Sequence, residues 1–222
     1  AAAGIRSDHE CTTVEEALEK VRAGLFVMIR EGTSARNLEA LLPAVTPETR
    51  DRFCFVSDDL HPQDILRRGH LDHMIRRAVE AGLDPVTSVR LASLNPARYF
   101  RLLDRGAVAP GFRADLVVLS DLEAFAVERV YKAGHIAAEQ GRAVGIPEGA
   151  SRKGAAAPLE VGPLAPERFR IRDRGGRARL IRVVPGQILT GLVLERPRVR
   201  DGLVVPDTDR DILTLAVVER HH

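Results

Sequence analysis

The first hundred residues predict an α/β fold built on a parallel sheet, and three observations carry that expectation. Strand and helix signals alternate three times in succession. The strand runs are short and wholly apolar, as expected of strands buried on both faces. Each run ends in a cluster of polar residues, and sites in parallel α/β folds are built at that C-terminal strand edge, in barrels and doubly wound sheets alike.

The elements follow in order. "GIRSDHE" (residues 4–10) ends in polar side chains. Thr12 with Glu15 three places on has the form of a capping box. Val14, Ala17, Leu18 and Val21 then recur with helical spacing, and Gly24 is placed to end the helix. "LFVMI" (25–29) has strand length and runs into Arg30-Glu31-Gly32. Ser34 is placed to cap a helix through "ARNLEALL", with Pro43 and Pro47 in the loop beyond it. "FCFV" (53–56) is the third strand and runs into Ser57-Asp58-Asp59. Helices follow over 62–68, 71–81 with Gly82 as its stop, and 85–93. Asn95-Pro96 ends one helix and starts the next.

After residue 100 the texture changes. Pro110-Gly111 marks a turn before the strand "LVVL", and "AVERVYKAGH" (126–135) adds another strand with a turn at Gly134. Residues 148–167, rich in Gly, Ala and Pro, read as a linker. From Phe169 onward, "FRIRD", "ARLIRVV", "QILTGLVL", "GLVV" and "DILTLAVVE" are strand-like runs. The expected organisation is therefore an α/β part at 1–100, a β-rich segment at 101–147, a linker at 148–167 and a β-rich domain at 168–222.

Composition narrows the function classes. The 222 residues are 45% apolar and 29% charged, ordinary for a globular protein, and 4% aromatic without tryptophan, so the core is aliphatic. A net charge of +2 gives no electrostatic case for nucleic acid or for a membrane surface. No apolar run is long enough to span a bilayer, and the first residues lack the pattern of a signal peptide. The two cysteines, Cys11 and Cys54, form no CxxC motif, no disulfide framework and no thiolate zinc site. They read as small buried hydrophobes, and a reducing cytoplasm is the expected compartment.

The polar clusters admit two readings. Asp8 and Glu10 can complement a helix dipole, and Ser57-Asp58-Asp59 can cap the helix that follows. Alternatively His9 and Asp58, each ending a strand with one strand between them, face the same edge of the sheet. There an imidazole and a carboxylate could serve a divalent metal, and the carboxylate could also take a proton from water. Two donors are too few to hold a metal tightly. His70 and His73 form H-x-x-H on a helix without the glutamate of a zinc protease motif, and read as solvated imidazoles at a helix start. His221 and His222 are either a native pair or incidental.

Three blocks carry a family resemblance: "SDHECTTVEEALEKVRAGLFVMIREGTSARNLEAL", "FVSDDLHPQDILRRGHLDHMIRRAVEAGLDPVTSVRLASLNPARYF" and "RGAVAPGFRADLVVLSDL". With "RVVPGQILTGLVL" and "DRDILTLAVVERHH" further on, they resemble, in order, the adenine deaminases of the amidohydrolase superfamily. The resemblance implies a metal-dependent (β/α)8 barrel that hydrolyses adenine to hypoxanthine and ammonia. It implies two divalent metals, manganese or iron with zinc as a further option. His9 takes the place of the metal ligand ending barrel strand six. Asp58 takes the place of the metal ligand and proton-transfer residue ending strand eight. Glu10 is a candidate for orienting substrate or moving a proton, and Arg30, Glu31 and Asp59 are candidates for substrate contact. The ligands that the family carries on strands one to five have no counterpart here. The chain therefore reads as an internal fragment with strands six to eight and a truncated C-terminal domain. It is expected to be inactive alone, with a small-molecule substrate, no nucleic-acid or membrane partner, and homo-oligomeric association. The alternatives are another amidohydrolase acting on a cyclic amide or amidine, such as a dihydroorotase or imidazolonepropionase relative, and a non-catalytic remnant. A base-editing type of zinc deaminase is excluded, because H-x-E and P-C-x-x-C are both missing.

Overall fold

The computed structural model describes residues 3–122, 124–145 and 161–219. It divides into two units, Ala1–Pro147 with Pro185–Ile188, and Glu148–Val184 with Leu189–His222. His221, His222 and most of the expected linker lie outside the described residues.

In the first unit, β1 (Ser7–Asp8) leads into α1 (Val14–Arg22), β2 (Phe26–Arg30), α2 (Leu38–Leu41), β3 (Phe53–Val56), α3 (Pro62–Arg68), α4 (Leu71–Glu80), α5 (Pro85–Ala92) and α6 (Leu94–Tyr99). The strands form one parallel sheet in the order β1-β2-β3. Val27, Ile29, Phe53 and Phe55 are buried, which explains strand sequences that are apolar at consecutive positions rather than alternating. Ala17 of α1, Leu38 and Leu41 of α2, Met74 and Ala78 of α4 and Leu91 of α5 complete this core. The register sets Arg30 opposite Val56 and Asp8 opposite Val27, so the three strands run the same way toward the polar clusters.

Local chemistry differs from the sequence expectation at several points. The N-cap of α1 is Thr13, not Thr12: its hydroxyl accepts from the Glu16 backbone N–H at 3.3 Å, and the Glu16 carboxylate accepts from Thr12 N–H at 3.0 Å. The capping box exists, shifted by one residue, because Glu16 rather than Glu15 points back along the chain. Gly24 does end the helix: with φ of +87° it lets Leu25 N–H reach the Lys20 carbonyl, a Schellman closure. Ser34 caps nothing. Its N–H donates to Asp59, and α2 starts only at Leu38 with Asn37 in the cap position. Ser57-Asp58-Asp59 do not cap α3, whose N-cap is His61 with Pro62 at the first helical position. His70 stands at the α4 cap without a side-chain bond, and its N–H donates to Asp72 instead.

Two polar side chains of α6 are tied down. The Asn95 side chain, placed by α6, donates to the carbonyls of Arg50 and Phe53 at 2.7 and 2.8 Å and fixes the entry to β3. Tyr99 stacks on Phe26 and donates to the Ser7 hydroxyl at 2.8 Å, anchoring β1 to α6. Burial raises the Cys11 thiol above its ordinary pKa and pushes Cys54 up to about 12. Both groups bind their protons more tightly folded than unfolded, so below about pH 9 the folded thiols stay protonated and unreactive. At pH 8, neither cysteine of the native protein should react with a thiol reagent at the rate of the urea-denatured chain. Rapid native labelling at Cys54 would contradict this burial.

The first unit continues with β4 (Leu116–Leu119), β5 (Val127–Lys132), β6 (His135–Glu139) and β7 (Arg142–Ala143), an antiparallel sheet in that order. The turn at Ala133-Gly134 joins β5 to β6, both residues having positive φ. In the second unit, β8 (Ile171–Arg172), β9 (Ala178–Val183), β10 (Thr190–Glu195), β11 (Arg198–Arg200) and β12 (Leu203–Val205) form a β9-β10 hairpin and a sheet ordered β11-β12-β8. The expected strand at "DILTLAVVE" is not formed among the described residues. Only a bridge from Asp207 to Ile212 is made there, since no neighbouring strand offers the apolar run a ladder. Conversely β11, with the sequence Arg-Val-Arg, was hidden by its charge.

Candidate active site

The ends of β1, β2 and β3 converge on one guanidinium. Arg30, the last residue of β2, has a side chain only 1% exposed. Its Nη1 lies 2.7 Å from Glu10 Oε2 and 3.3 Å from Asp58 Oδ2. Glu10 in turn places Oε1 3.2 Å from His9 Nε2. Residues singled out from three separate strand ends thus form one chain of contacts, His9 to Glu10 to Arg30 to Asp58. The His9, Glu10 and Asp58 side chains are 48%, 50% and 36% exposed, so their far sides face an open edge.

Backbone geometry explains how each group is aimed. Glu10 N–H donates to Asp8 Oδ1 at 2.6 Å, a side-chain turn that swings His9 and Glu10 off the strand. Asp8 is itself fixed by Lys20, whose ammonium lies 2.6 Å from Asp8 and 2.7 Å from Glu16. Burial acts to raise the Asp8 carboxyl, and the bonds from Lys20 and the Glu10 N–H outweigh it, holding it below the usual range. Asp58 adopts the left-handed region with φ of +49°, a conformation that Asp tolerates because its short side chain bonds locally.

Glu31 and Asp59 are turned into the β2–α2 loop. Glu31 is buried, and its carboxylate accepts from the Leu38 N–H at the start of α2. Burial raises its pKa, only partly offset by that bond. Asp59 Oδ2 accepts from Ser34 N–H at 2.9 Å, and its carboxyl packs where a side chain at Gly32 would stand. Burial works to raise Asp59, but the donors of Ser34 and Thr33 keep it low. Thr33 adds a second tie, donating to Asp64 at 2.7 Å and accepting from His61 N–H at 2.9 Å.

Two further residues of the cluster escaped the sequence reading. Asn37 is fully buried, and its Oδ1 accepts from Arg30 Nε at 3.3 Å. Gln187 supplies the Oε1 that accepts from Asn37 Nδ2 at 2.9 Å. The dipeptide Pro185-Gly186 announces a turn, but nothing in the sequence says that a residue 150 positions away meets Asn37. Arg30 Nη2 is buried without a partner among the described residues.

As metal donors, His9 and Asp58 offer the right kinds of atom, an imidazole nitrogen and a carboxylate oxygen. They fall short in number: among the described residues, no group of three or more His, Cys, Asp or Glu side chains is placed to hold a metal. Both also have protein partners, Glu10 and Arg30. These residues therefore fit a metal only as part of a larger donor set.

Known proteins resemble the chain over nearly its whole length. The chain is 45% identical to a protein named adenine deaminase from Desulfatibacillum aliphaticivorans, over 99% of its own length and 38% of the relative's. It is 46% identical to another adenine deaminase, from Methanothrix thermoacetophila, over its whole length and 38% of the relative. It thus spans well under half of the curated relatives it matches. Among solved structures, a beta-aspartyl dipeptidase from Fervidobacterium islandicum AW-1 aligns with a TM-score of 0.51 at 19% identity, covering 64% of this chain and 41% of that one, a likeness of fold alone. The model of the amidohydrolase family matches residues 1–137, which include the whole β1-β2-β3 sheet and every residue of the cluster except Gln187; the chain belongs to the amidohydrolase family.

Proposed function

We propose that this chain is part of a hydrolase that converts adenine and water to hypoxanthine and ammonia, with β1, β2 and β3 as strands six, seven and eight of a (β/α)8 barrel. The observation that carries the reading is the collinear identity of 45–46% to proteins of that name, running through the strand ends that hold His9, Glu10, Arg30 and Asp58. The enzyme would hold a divalent metal, manganese, iron or zinc, with His9 and Asp58 among its donors and the remaining donors outside this chain's residues. Such a metal, when bound, lowers the pKa of water and makes it a nucleophile near neutral pH.

The chain's own groups would do the rest. Asp58 accepts the proton of the attacking water and passes it toward the purine ring nitrogen or the leaving amine. Oxygen adds at C6 as one water proton goes to the ring nitrogen; the second then passes from the new C6 hydroxyl to the exocyclic amine, the bond from C6 to that amine breaks, and ammonia leaves as the C6 carbonyl forms. Glu10, 50% exposed beside His9, orients the purine or relays a proton. Arg30 holds both carboxylates and bears on the substrate through them. Asp59 and Glu31 act through the loop they hold. We place the reaction in the cytoplasm, the compartment in which free cysteines such as Cys11 and Cys54 are the rule. Assembly into a homo-oligomer completes the proposal.

The test is direct. The full-length protein, loaded with manganese or iron, should release ammonia from adenine and yield hypoxanthine. Metal-replete protein that leaves adenine intact would refute the reading.

A further inference from the structure

We infer that Gln187 is a positioning residue of this site, acting on the strand-end carboxylates through Asn37 and Arg30. The inference rests on the deaminase reading for its kinetic consequence and on geometry for the linkage itself.

Segment Pro185–Ile188 belongs with the first unit, although 150 positions separate Gln187 from Asn37 in sequence. Pro185 and Gly186 form the turn that brings it in, Gly186 taking φ of +72°, which a residue with a Cβ adopts only under strain. Two bonds then hold the segment against the start of α2. Gly186 O accepts from Arg36 N–H at 2.9 Å, and Gln187 Oε1 accepts from Asn37 Nδ2 at 2.9 Å. Asn37 has no freedom left. Its backbone N–H donates to Arg30 O at 3.1 Å, its Nδ2 is taken by Gln187, and its Oδ1 faces Arg30 Nε.

The orientation of the amide decides the matter. An Asn side chain can flip, exchanging its oxygen and nitrogen. Arg30 Nε–H can only donate, so Oδ1 faces it, and the buried Nδ2 on the other side needs an acceptor of its own. Gln187 supplies that acceptor. Without it, the buried Nδ2 would stand unpaired, the Asn37 side chain would rotate toward another acceptor, and Oδ1 would be drawn off Arg30 Nε, loosening the bond that fixes the guanidinium plane. The guanidinium plane sets where Nη1 meets Glu10 and Asp58. Gln187 therefore touches no reacting atom, yet it governs where both carboxylates stand.

Two variants separate the acceptor from the bulk of the side chain. Gln187→Met keeps the length and removes the acceptor; Gln187→Glu keeps an oxygen that can accept from Asn37. In the full-length enzyme, Gln187→Met should lower kcat roughly tenfold with KM changed less than about twofold, and Gln187→Glu should stay within about threefold of wild type. Hydrogen exchange of the segment spanning residues 30–38 should speed up in Gln187→Met and not in Gln187→Glu. If both variants retain the wild-type kcat, the positioning role is overturned. If both lose it equally, the acceptor is irrelevant and the role is overturned as well. Should the wild-type protein fail to deaminate adenine, the deaminase reading falls by itself. The exchange measurement then still decides the linkage: faster exchange confined to Gln187→Met supports it, and identical exchange in the three proteins overturns it.

Discussion

Replacing Asp58 by asparagine in the full-length enzyme should lower ammonia release from adenine by about 10²–10⁴-fold, the usual worth of a positioned general base. The substitution isolates chemistry from structure. Asp58 sits at φ of +49°, and asparagine tolerates that region as well as aspartate does. Asparagine also keeps an oxygen for Arg30 Nη1, now 3.3 Å from Asp58 Oδ2. What it removes is the negative charge and the ability to accept a proton near neutral pH. The pair with Arg30 is partly open on the Asp58 side, so its loss should cost no more than about 1 kcal/mol of stability. Unchanged ammonia release, with a melting temperature close to wild type, would remove Asp58 from the mechanism. A large loss of melting temperature would instead mean that its contribution is to the fold.

The sheet was legible because its signal is local. "FVMI" and "FCFV" contain nothing that a solvent-facing strand would need, and both became buried strands flanked by helices. The second unit was less so. "DILTLAVVE" has strand-forming residues but no partner strand among the described residues, and a ladder is a property of two segments rather than one. Caps misled for a related reason. Ser34 and Asp59 each look like a helix start in isolation, yet Asp59 accepts from both the backbone N–H and the hydroxyl of Ser34, and neither side chain is left for a helix. Which partner a donor or acceptor meets across the fold is not written in the local sequence.

The same holds at the candidate site. Position at strand ends singled out His9 and Asp58, and the family resemblance added Glu10 and Arg30 as candidates. Their connection through a single buried guanidinium was not readable, because it depends on the strand register that sets Arg30 opposite Val56. Asn37 lay inside a stretch read as helix, and Gln187 inside one read as strand. Both turned out to flank those elements, where a side chain is free to bond across the fold.

The second large effect should come from Arg30 itself. Arg30→Met retains the aliphatic stem within the core but withdraws the donors that meet Glu10, Asp58 and Asn37. Two carboxylates would then face one another without a cation, and the fully buried Asn37 Oδ1 would lose its donor. Breaking a buried ion pair by removing one partner costs about 3–5 kcal/mol, but water can reach Glu10 and Asp58, so about 2–3 kcal/mol is the expected loss in denaturant unfolding. Arg30→Lys should recover only part of it, since an ammonium is a point charge and cannot serve three acceptors in one plane. Because Arg30 is 1% exposed, added salt should do little to screen its contacts, and the difference between Arg30→Met and wild type should persist at high ionic strength. A loss that vanishes in 1 M salt would assign it to surface electrostatics. A loss below about 0.5 kcal/mol would show that the guanidinium holds nothing together, and the joined strand ends would have to owe their arrangement to the hydrophobic core beneath them.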